Sequence, residues 1–258
     1  MPELPDLQVF SKNLHKAFAG KLVKKVTVVN KSRLNVPPET LEKSIENQSV
    51  KSIHRVGKEL HVEFQNGNVL GLHLMLNGEL HFFREANERR NTIIELIFEG
   101  GEGLALSDYQ GMAVPALNPE SDKGPDALSK QVDVTFLKEQ LQKKRTSIKK
   151  FLLDQHVIRG IGNAYADEIL WNAGISPLSV CNKIPEQKIK VLVQSIKTVL
   201  TDAEKQIRKT HPDIISGEVR DFLKIHNAKR KHSPGGAVIR AEMQNGRKTY
   251  FTDEQELF

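Results

Sequence analysis

The chain begins MPELPDLQVF, with Pro2 directly behind the initiator methionine and a carboxylate, Glu3, next to it. A small second residue lets methionine aminopeptidase remove Met1, so the mature chain would start at the secondary amine of Pro2. An α-amino group titrates near pH 8, far below lysine, and an appreciable share of it is a free nucleophile at neutral pH. Beside it, Glu3 could move protons. Amine and carboxylate together suit imine chemistry, although in an arbitrary protein such a start is more often a rigid lead-in. A second candidate lies in LLDQHVIRGIGNAYADEILWNAGISPLS. There a helix is expected to end near Gln155 and another to begin about Asn163. Gly160 and Gly162 in the intervening turn permit positive φ and close backbone approach, and a helix N-terminus offers unpaired N–H groups to an anion. A DNA phosphate suits such a turn, with the Asn163 amide as a further donor.

These residues need elements to hold them. Leu7, Phe10, Leu14 and Phe18 recur at helical spacing and Gly20 closes the pattern, which predicts a short leading helix. KLVKKVTVVN then alternates as a strand does. LHVEFQNGNVLGLHLML reads as a hairpin turning at Asn66-Gly67, and NTIIELIFEGGEGLALSD as another with a glycine-rich turn. VPALNPESDKGPDALS has the composition of a linker. Beyond it VTFLKEQLQKKRTSIKKFLLDQ, NAYADEILWNAG and EQKIKVLVQSIKTVLTDAEKQIRKT are helical, and GAVIRAEMQ and RKTYFT form a last hairpin about Asn245-Gly246. The expected class is α+β: an antiparallel β-sandwich with a leading helix, then a helical domain carrying a hairpin.

A chain of 258 residues, 38% hydrophobic and 27% charged, can bury a core and is neither disordered nor membrane-like in composition. The formal charge of +6 is compatible with a polyanionic partner. Cys181 is the sole cysteine, which excludes an intrachain disulfide and a cysteine-based zinc cluster. No signal-like start and no bilayer-spanning run is present, so a cytoplasmic, nucleoid-associated setting without membrane contact is expected.

The central segment resembles the helix-two-turns-helix motif of the formamidopyrimidine-DNA glycosylase and endonuclease VIII family, whose members carry a similar LLDQ…G-x-GN-x-Y-x-x-E run. MPELPDLQ resembles the family N-terminus, GKEL its lysine-bearing sheet loop, HLMLNGEL the following strand and loop, KGPDAL its interdomain signature and NGRKTYF the tip of its C-terminal finger. The matches keep their order across nearly the whole chain. The resemblance implies a β-sandwich catalytic domain at 1–116, a linker at 117–131, a helix-two-turns-helix DNA-binding domain at 132–225 and a finger hairpin at 226–258. It implies a bifunctional glycosylase and abasic-site lyase, expected as a monomer, on double-stranded DNA with a damaged base or abasic site. The nucleotide would be flipped into a pocket. Pro2 would be the Schiff-base nucleophile, Glu3 the catalytic acid and Lys58 a phosphate-contacting lysine near the lesion. Gly160, Gly162, Asn163 and Arg247 would grip DNA, and no cofactor is called for.

The chain departs from the family pattern in three places. Finger domains of the family commonly hold zinc through four cysteines, and none stands here. The hairpin therefore reads as a zincless finger, held by strand pairing and by packing of Val238, Tyr250 and Phe251. Among residues that fill the gap left by a flipped base, Leu76 stands where many members have methionine. DYQGMA stands where they read Asp-Pro-Arg-Arg-Phe-Gly, putting Gln110, Gly111 and Met112 in the region of the arginine and phenylalanine. An apolar wedge can still unstack a base step. RDFLKIHNAKRKHSPGG passes almost directly from helix to finger, which argues against tight capping of 8-oxoguanine. Oxidised pyrimidines, ring-opened purines and abasic sites stay open as substrates. The altered loop also motivates a rival reading, a protein of this fold that binds damaged DNA without excision. Tyr165 and Trp171 are expected in the helix core, His73 as a satisfied sheet histidine and Cys181 as a small apolar residue.

Overall fold

A reciprocal capping box starts the first helix, α1 (Leu4–Phe18): the Glu3 side chain accepts from the backbone of Asp6, and the Glu3 N–H donates to Asp6 Oδ2 at 2.9 Å. Pro5 falls in the first turn, where a missing N–H breaks no helical bond. Leu7, Phe10, Leu14 and Phe18 are all buried, as their spacing predicts. The computed structural model describes residues 1–120 and 124–258.

Eight strands follow: β1 (Val23–Val28), β2 (Val50–Val56), β3 (Glu59–Phe64), β4 (Val69–His73), β5 (Glu79–Arg84), β6 (Thr92–Phe98), β7 (Glu102–Ser107) and β8 (Val114–Leu117). They form two antiparallel sheets in the orders β1-β6-β7-β5 and β2-β3-β4-β8. Both sheets and α1 contribute to one apolar core, with Phe10, Phe18, Leu60, Phe64, Leu96 and Phe98 among its buried members. The Asn66-Gly67 hairpin forms as expected. Gly67 alone has positive φ (+85°), and its N–H bonds the Phe64 carbonyl at 3.0 Å, which is a type I turn closed by a glycine bulge.

Four features depart from the sequence reading of this region, two of them the strands β2 and β5, which pair with β3 and β7 in stretches not read as strands. A second helix, α2 (Pro38–Ile45), enters the core through Leu41 and Ile45. VPAL, the head of the stretch read as a linker, is the edge strand β8, which pairs with β4 from Leu70 to His73. The middle of the expected linker, 121–123, lies outside the described residues.

The rest of the chain holds α3 (Val134–Gln142), α4 (Ile148–Leu152), α5 (Asn163–Asn172), α6 (Glu186–Thr210) and the hairpin of β9 (Arg240–Gln244) and β10 (Arg247–Phe251). The long run from Val134 is two helices because the backbone of 146–148 pairs with 179–181: the Ile148 N–H reaches Ser179 O at 2.8 Å and the Cys181 N–H reaches Thr146 O at 3.0 Å. Asp133 and Ser147 cap the two pieces. Cys181 is buried, and desolvation pushes its thiol up to about 11. In β9–β10 both Asn245 and Gly246 have positive φ, the type I′ turn that a two-residue hairpin prefers.

The chain divides into two units, Met1–Ser121 with Ile207–Glu218, and Asp122–Gln206 with Val219–Phe258. Segment 207–218, expected within the helical domain, joins the first unit through specific bonds. Asn13 Nδ2 donates to the carbonyls of Pro212 (2.9 Å) and Ile214 (2.8 Å), the Leu80 N–H donates to Ser216 Oγ (3.0 Å), and Ile215 enters the core. Among the described residues no helix is long and apolar enough to cross a membrane.

The loop from β4 to β5 is closed around Gly78, whose N–H bonds the Leu74 carbonyl at 2.8 Å. A Cβ there would stand 2.3 Å from that same oxygen, a backbone atom with nowhere to go. Gly78→Ala should therefore lower the free energy of unfolding by about 1–3 kcal/mol, read as a lower urea midpoint at unchanged slope.

Candidate functional site

In the first unit the terminal residues are held tightly. Pro2 is buried, Glu3 is 4% exposed, and the Met1 ammonium pairs with the Glu218 carboxylate. Lys58 is half-buried in the two-residue turn between β2 and β3, where Gly57 takes positive φ (+58°). Arg55 stitches that turn to the leading helix, donating from Nε to Gln8 Oε1 at 3.0 Å and from Nη1 to the Gly57 carbonyl at 2.9 Å. The helix that Glu3 caps and the turn that carries Lys58 are thus fixed to each other through a side chain the sequence reading did not single out.

Two further loops of this unit are joined. In the first, His73 Nδ1 accepts the Met75 N–H at 3.0 Å, so it is satisfied as expected, and Leu76 is left 63% exposed. In the second, the buried Asp108 carboxylate accepts the N–H groups of Gln110 (2.8 Å), Met112 (2.9 Å) and Ala113 (2.8 Å). Asn77 Nδ2 donates to Gln110 Oε1 at 2.7 Å and ties the two loops together. The Arg33 guanidinium stands 3.0 Å from Met112 Sδ. Leu76 is therefore free at its tip, whereas Gln110 and Met112 are engaged by protein.

In the second unit the turn between α4 and α5 is built on Gln155. Its Nε2 donates to the carbonyls of Leu153 and Ile161, each at 3.0 Å, and its Oε1 accepts the Gly160 N–H at 2.9 Å. Gly160 has the positive φ expected of it (+103°). Gly162 does not: at φ −116° it is the extended cap of α5. Asn163 gives one amide hydrogen to the Lys248 carbonyl at 2.9 Å, so the residue expected to face a phosphate also grips the hairpin. Its second amide hydrogen is additional capacity. Arg247, exposed at the hairpin tip, lines a hollow of about 340 Å³ with Ser147, Lys150, Asp154 and Asn245. Asn163, next to Gly162, is thus bonded to the residue that follows Arg247.

What seats the hairpin is a buried carboxylate. Asp167 of α5 is fully buried. Its Oδ1 lies 2.7 Å from Lys149 Nζ, and its Oδ2 meets His226 Nδ1 at 2.7 Å and accepts the Tyr250 N–H at 2.9 Å. Lys149, 3% exposed, also donates to Thr249 Oγ1 at 2.8 Å. The adjacent Glu168 accepts three consecutive N–H groups, from Lys224 (2.9 Å), Ile225 (2.8 Å) and His226 (2.7 Å). Apolar packing accounts for less than expected: Tyr250 and Phe251 are buried, but Val238 is 60% exposed. Tyr165 is in the core as expected. Trp171 is half-buried and donates its indole N–H to Glu254 Oε2 at 2.9 Å, a bond that, with one from Ser233, holds that carboxyl below the ordinary glutamate range. Among the described residues no three His, Cys, Asp or Glu side chains are placed to share a metal ion.

Two family models match. Residues 1–113 match the formamidopyrimidine-DNA glycosylase N-terminal domain and residues 123–212 the helix-two-turns-helix domain of the same proteins. The formamidopyrimidine-DNA glycosylase of Saccharophagus degradans is 30% identical over 227 residues, 84% of this chain and 83% of that protein. The chain belongs to the formamidopyrimidine-DNA glycosylase family. The Idiomarina loihiensis glycosylase is 33% identical over 79% of the chain and 78% of its own length. Solved structures of the family superpose over the whole length: MutM in complex with DNA containing carbocyclic 8-oxo-G (TM-score 0.88, 26% identity, 99% of this chain and 100% of that one) and the Lactococcus lactis protein with DNA containing an oxidised pyrimidine (TM-score 0.88, 25% identity, the same coverage). The two-sheet unit, the helical unit and the terminal hairpin fit this family's fold.

Removing Asp167 would leave the Lys149 ammonium buried without that carboxylate. Asp167→Ala should therefore destabilise the protein by about 3–5 kcal/mol, measured by urea unfolding. The paired replacement Lys149→Met with Asp167→Leu should recover a large part of the loss.

Proposed function

We propose that the protein is a bifunctional DNA glycosylase and abasic-site lyase of base-excision repair, acting on double-stranded DNA that carries a damaged base or an abasic site. Membership in a family whose named relatives are DNA glycosylases supports the class. The observation that carries the chemistry is the start of the chain: Pro2 stands next to a nearly buried Glu3 at the head of α1. With Met1 in place the Pro2 nitrogen is an amide and has no lone pair to give. Its removal makes that nitrogen a secondary amine, partly unprotonated at neutral pH.

The amine nitrogen bonds to the sugar C1′ of the flipped nucleotide while the C1′–N bond to the base breaks. The base leaves with that electron pair and takes up a proton, and the nitrogen, now bonded to three carbons, gives up its own. Opening of the sugar ring, with a proton delivered to its oxygen, gives an iminium that draws electrons from C2′. Loss of a C2′ proton then expels the 3′ phosphate and cuts the strand. Glu3 is the proton carrier at the sugar. Lys58 contacts a phosphate beside the lesion. Gly160 and Gly162 let the backbone approach a second phosphate, which Asn163 and Arg247 hold. Leu76 enters the stack. The protein acts as a monomer and needs no cofactor.

Among the described residues no helix or strand stands between α6 and β9, and within that stretch Glu168 pins Lys224, Ile225 and His226, which supports the reading that it does not close over an oxidised purine. Oxidised pyrimidines, ring-opened purines and abasic sites are the lesions to test. The engaged side chains of Gln110 and Met112 favour one second reading, binding of damaged DNA without excision.

Untagged protein incubated with an abasic-site duplex and borohydride should give a covalent adduct. Pro2→Gly, or a chain extended ahead of Pro2, should lose most of it. A protein that binds the whole lesion panel yet neither traps nor cuts any of it would leave the second reading standing instead. Affinity for duplex DNA should drop by about 10³ between roughly 50 and 200 mM salt if some six phosphates are neutralised.

A further inference from the structure

Two large apolar side chains stand out on the loops joined by Asn77 and Gln110. Leu76 is 63% exposed and Tyr109 is 69% exposed, among the most exposed large apolar residues described. Both loops are fixed. Asp108 holds three backbone N–H groups around Tyr109, Gly78 closes the loop of Leu76, and the 2.7 Å amide bond links them. A rigid mount for exposed apolar tips costs stability and solubility unless something covers them. The neighbouring side chains are spoken for: Gln110 by Asn77, Met112 by Arg33, while Gly111 has none. Among the described residues Tyr109 has no aromatic or cation–π partner, in contrast to Phe18, which contacts Phe82 and Phe98.

We propose that Tyr109 stacks on the unpaired base facing the extruded nucleotide, with Leu76 on the adjoining loop parting the base step, and that the protein consequently discriminates little among the four bases at that position. The proposal rests on the DNA reading given above. Base identity is read by donors and acceptors aimed at base edges, as an arginine does at guanine. An aromatic face offers none of this, because every base presents a π-face to it, and stacking is tolerant of sequence. Gln110, the amide within reach of that role, has its oxygen taken by Asn77.

The test uses full-length protein and duplexes holding a tetrahydrofuran abasic analogue opposite each of the four bases. Wild-type affinities should agree within about threefold across the four, well inside one tenfold step of 1.4 kcal/mol. Tyr109→Ala should weaken binding to all four by about tenfold or more and leave undamaged duplex unaffected. Tyr109→Phe should restore binding. With 2-aminopurine opposite the abasic analogue, wild type and Tyr109→Phe should quench its fluorescence and Tyr109→Ala should not. A mere loss of fold would lower affinity for undamaged duplex as well. The proposal is overturned if wild type separates the opposite bases by more than tenfold, if Tyr109→Ala binds as wild type does, or if 2-aminopurine stays bright with wild type. A wild type that does not prefer abasic over undamaged duplex overturns the DNA reading too. If that preference is present and insensitive to Tyr109→Ala, stacking alone is lost.

Discussion

A carboxylate with no access to water must be solvated by protein, and at Asp167 that requirement organises the second unit. Burying an unpaired charge is prohibitive, so the carboxylate needs an opposite charge and hydrogen-bond donors close at hand. Here they come from three places far apart in the chain: Lys149 in α4, His226 after α6, and the Tyr250 N–H in β10. Satisfying one charge therefore fixes the helical turn, the segment after α6 and the hairpin against each other. Asn163 extends the same connection to the Lys248 carbonyl. Asn163 and Arg247, proposed above to hold DNA, are tied to this cluster through residues 248–250 of β10.

The first unit uses the same device in smaller form. Glu3 and Asp6 trade backbone bonds at the head of α1, and Asp108 collects three N–H groups of its loop. Glu168 does likewise for 224–226. A carboxylate accepting several N–H groups shapes an irregular backbone without a helix or ladder to support it. Functional loops are irregular by necessity, so side chains that hold them are as necessary as those that touch a ligand. Glu3, proposed above as the proton carrier, is itself held by such bonds at the head of α1.

The regular parts of this architecture were legible because periodicity is local. The 25 residues of α6 coincide with the run read as helical, and the three hairpins read from the sequence turn where Asn-Gly or Gly-Gly stands, whereas the hairpin of β2 and β3, turning at Gly57-Lys58, carries no such signal. The short α2 offers only Leu41 and Ile45 as an apolar pair, too little pattern to see. The break between α3 and α4 is invisible locally, since it arises from pairing with 179–181. For the site, Pro2, Glu3, Asn163 and Arg247 could be picked out by type and family resemblance. Asp167 could not be distinguished from a solvated acid, and the family runs that contain Glu168 and Asp108 do not say that these are buried, because burial is a property of the fold. The partners of Asp167 lie 18, 59 and 83 positions away in the chain, beyond any spacing rule. Val238 was misjudged for the same reason: an apolar letter in a hairpin says nothing of what covers it.

The cluster at Asp167 also bears on how a finger without cysteines keeps its shape. A buried ion pair is poor evidence of stability, since apolar residues of equal volume often do as well. Its distinctive contribution is register. Thr249 and Tyr250 are consecutive on β10 and point to opposite faces, yet the side chain of one and the N–H of the other are both claimed, by Lys149 and Asp167. Sliding β10 by one residue would put the wrong groups at both positions, leaving two buried charges short of partners and turning the buried side chains of β10 to the opposite face. The type I′ turn fixes β9 to β10, and the charge cluster together with the Asn163 amide fixes β10 to the helices. Arg247 is two residues from Thr249, so the place of its backbone follows from the bonds that hold β10 to α4 and α5.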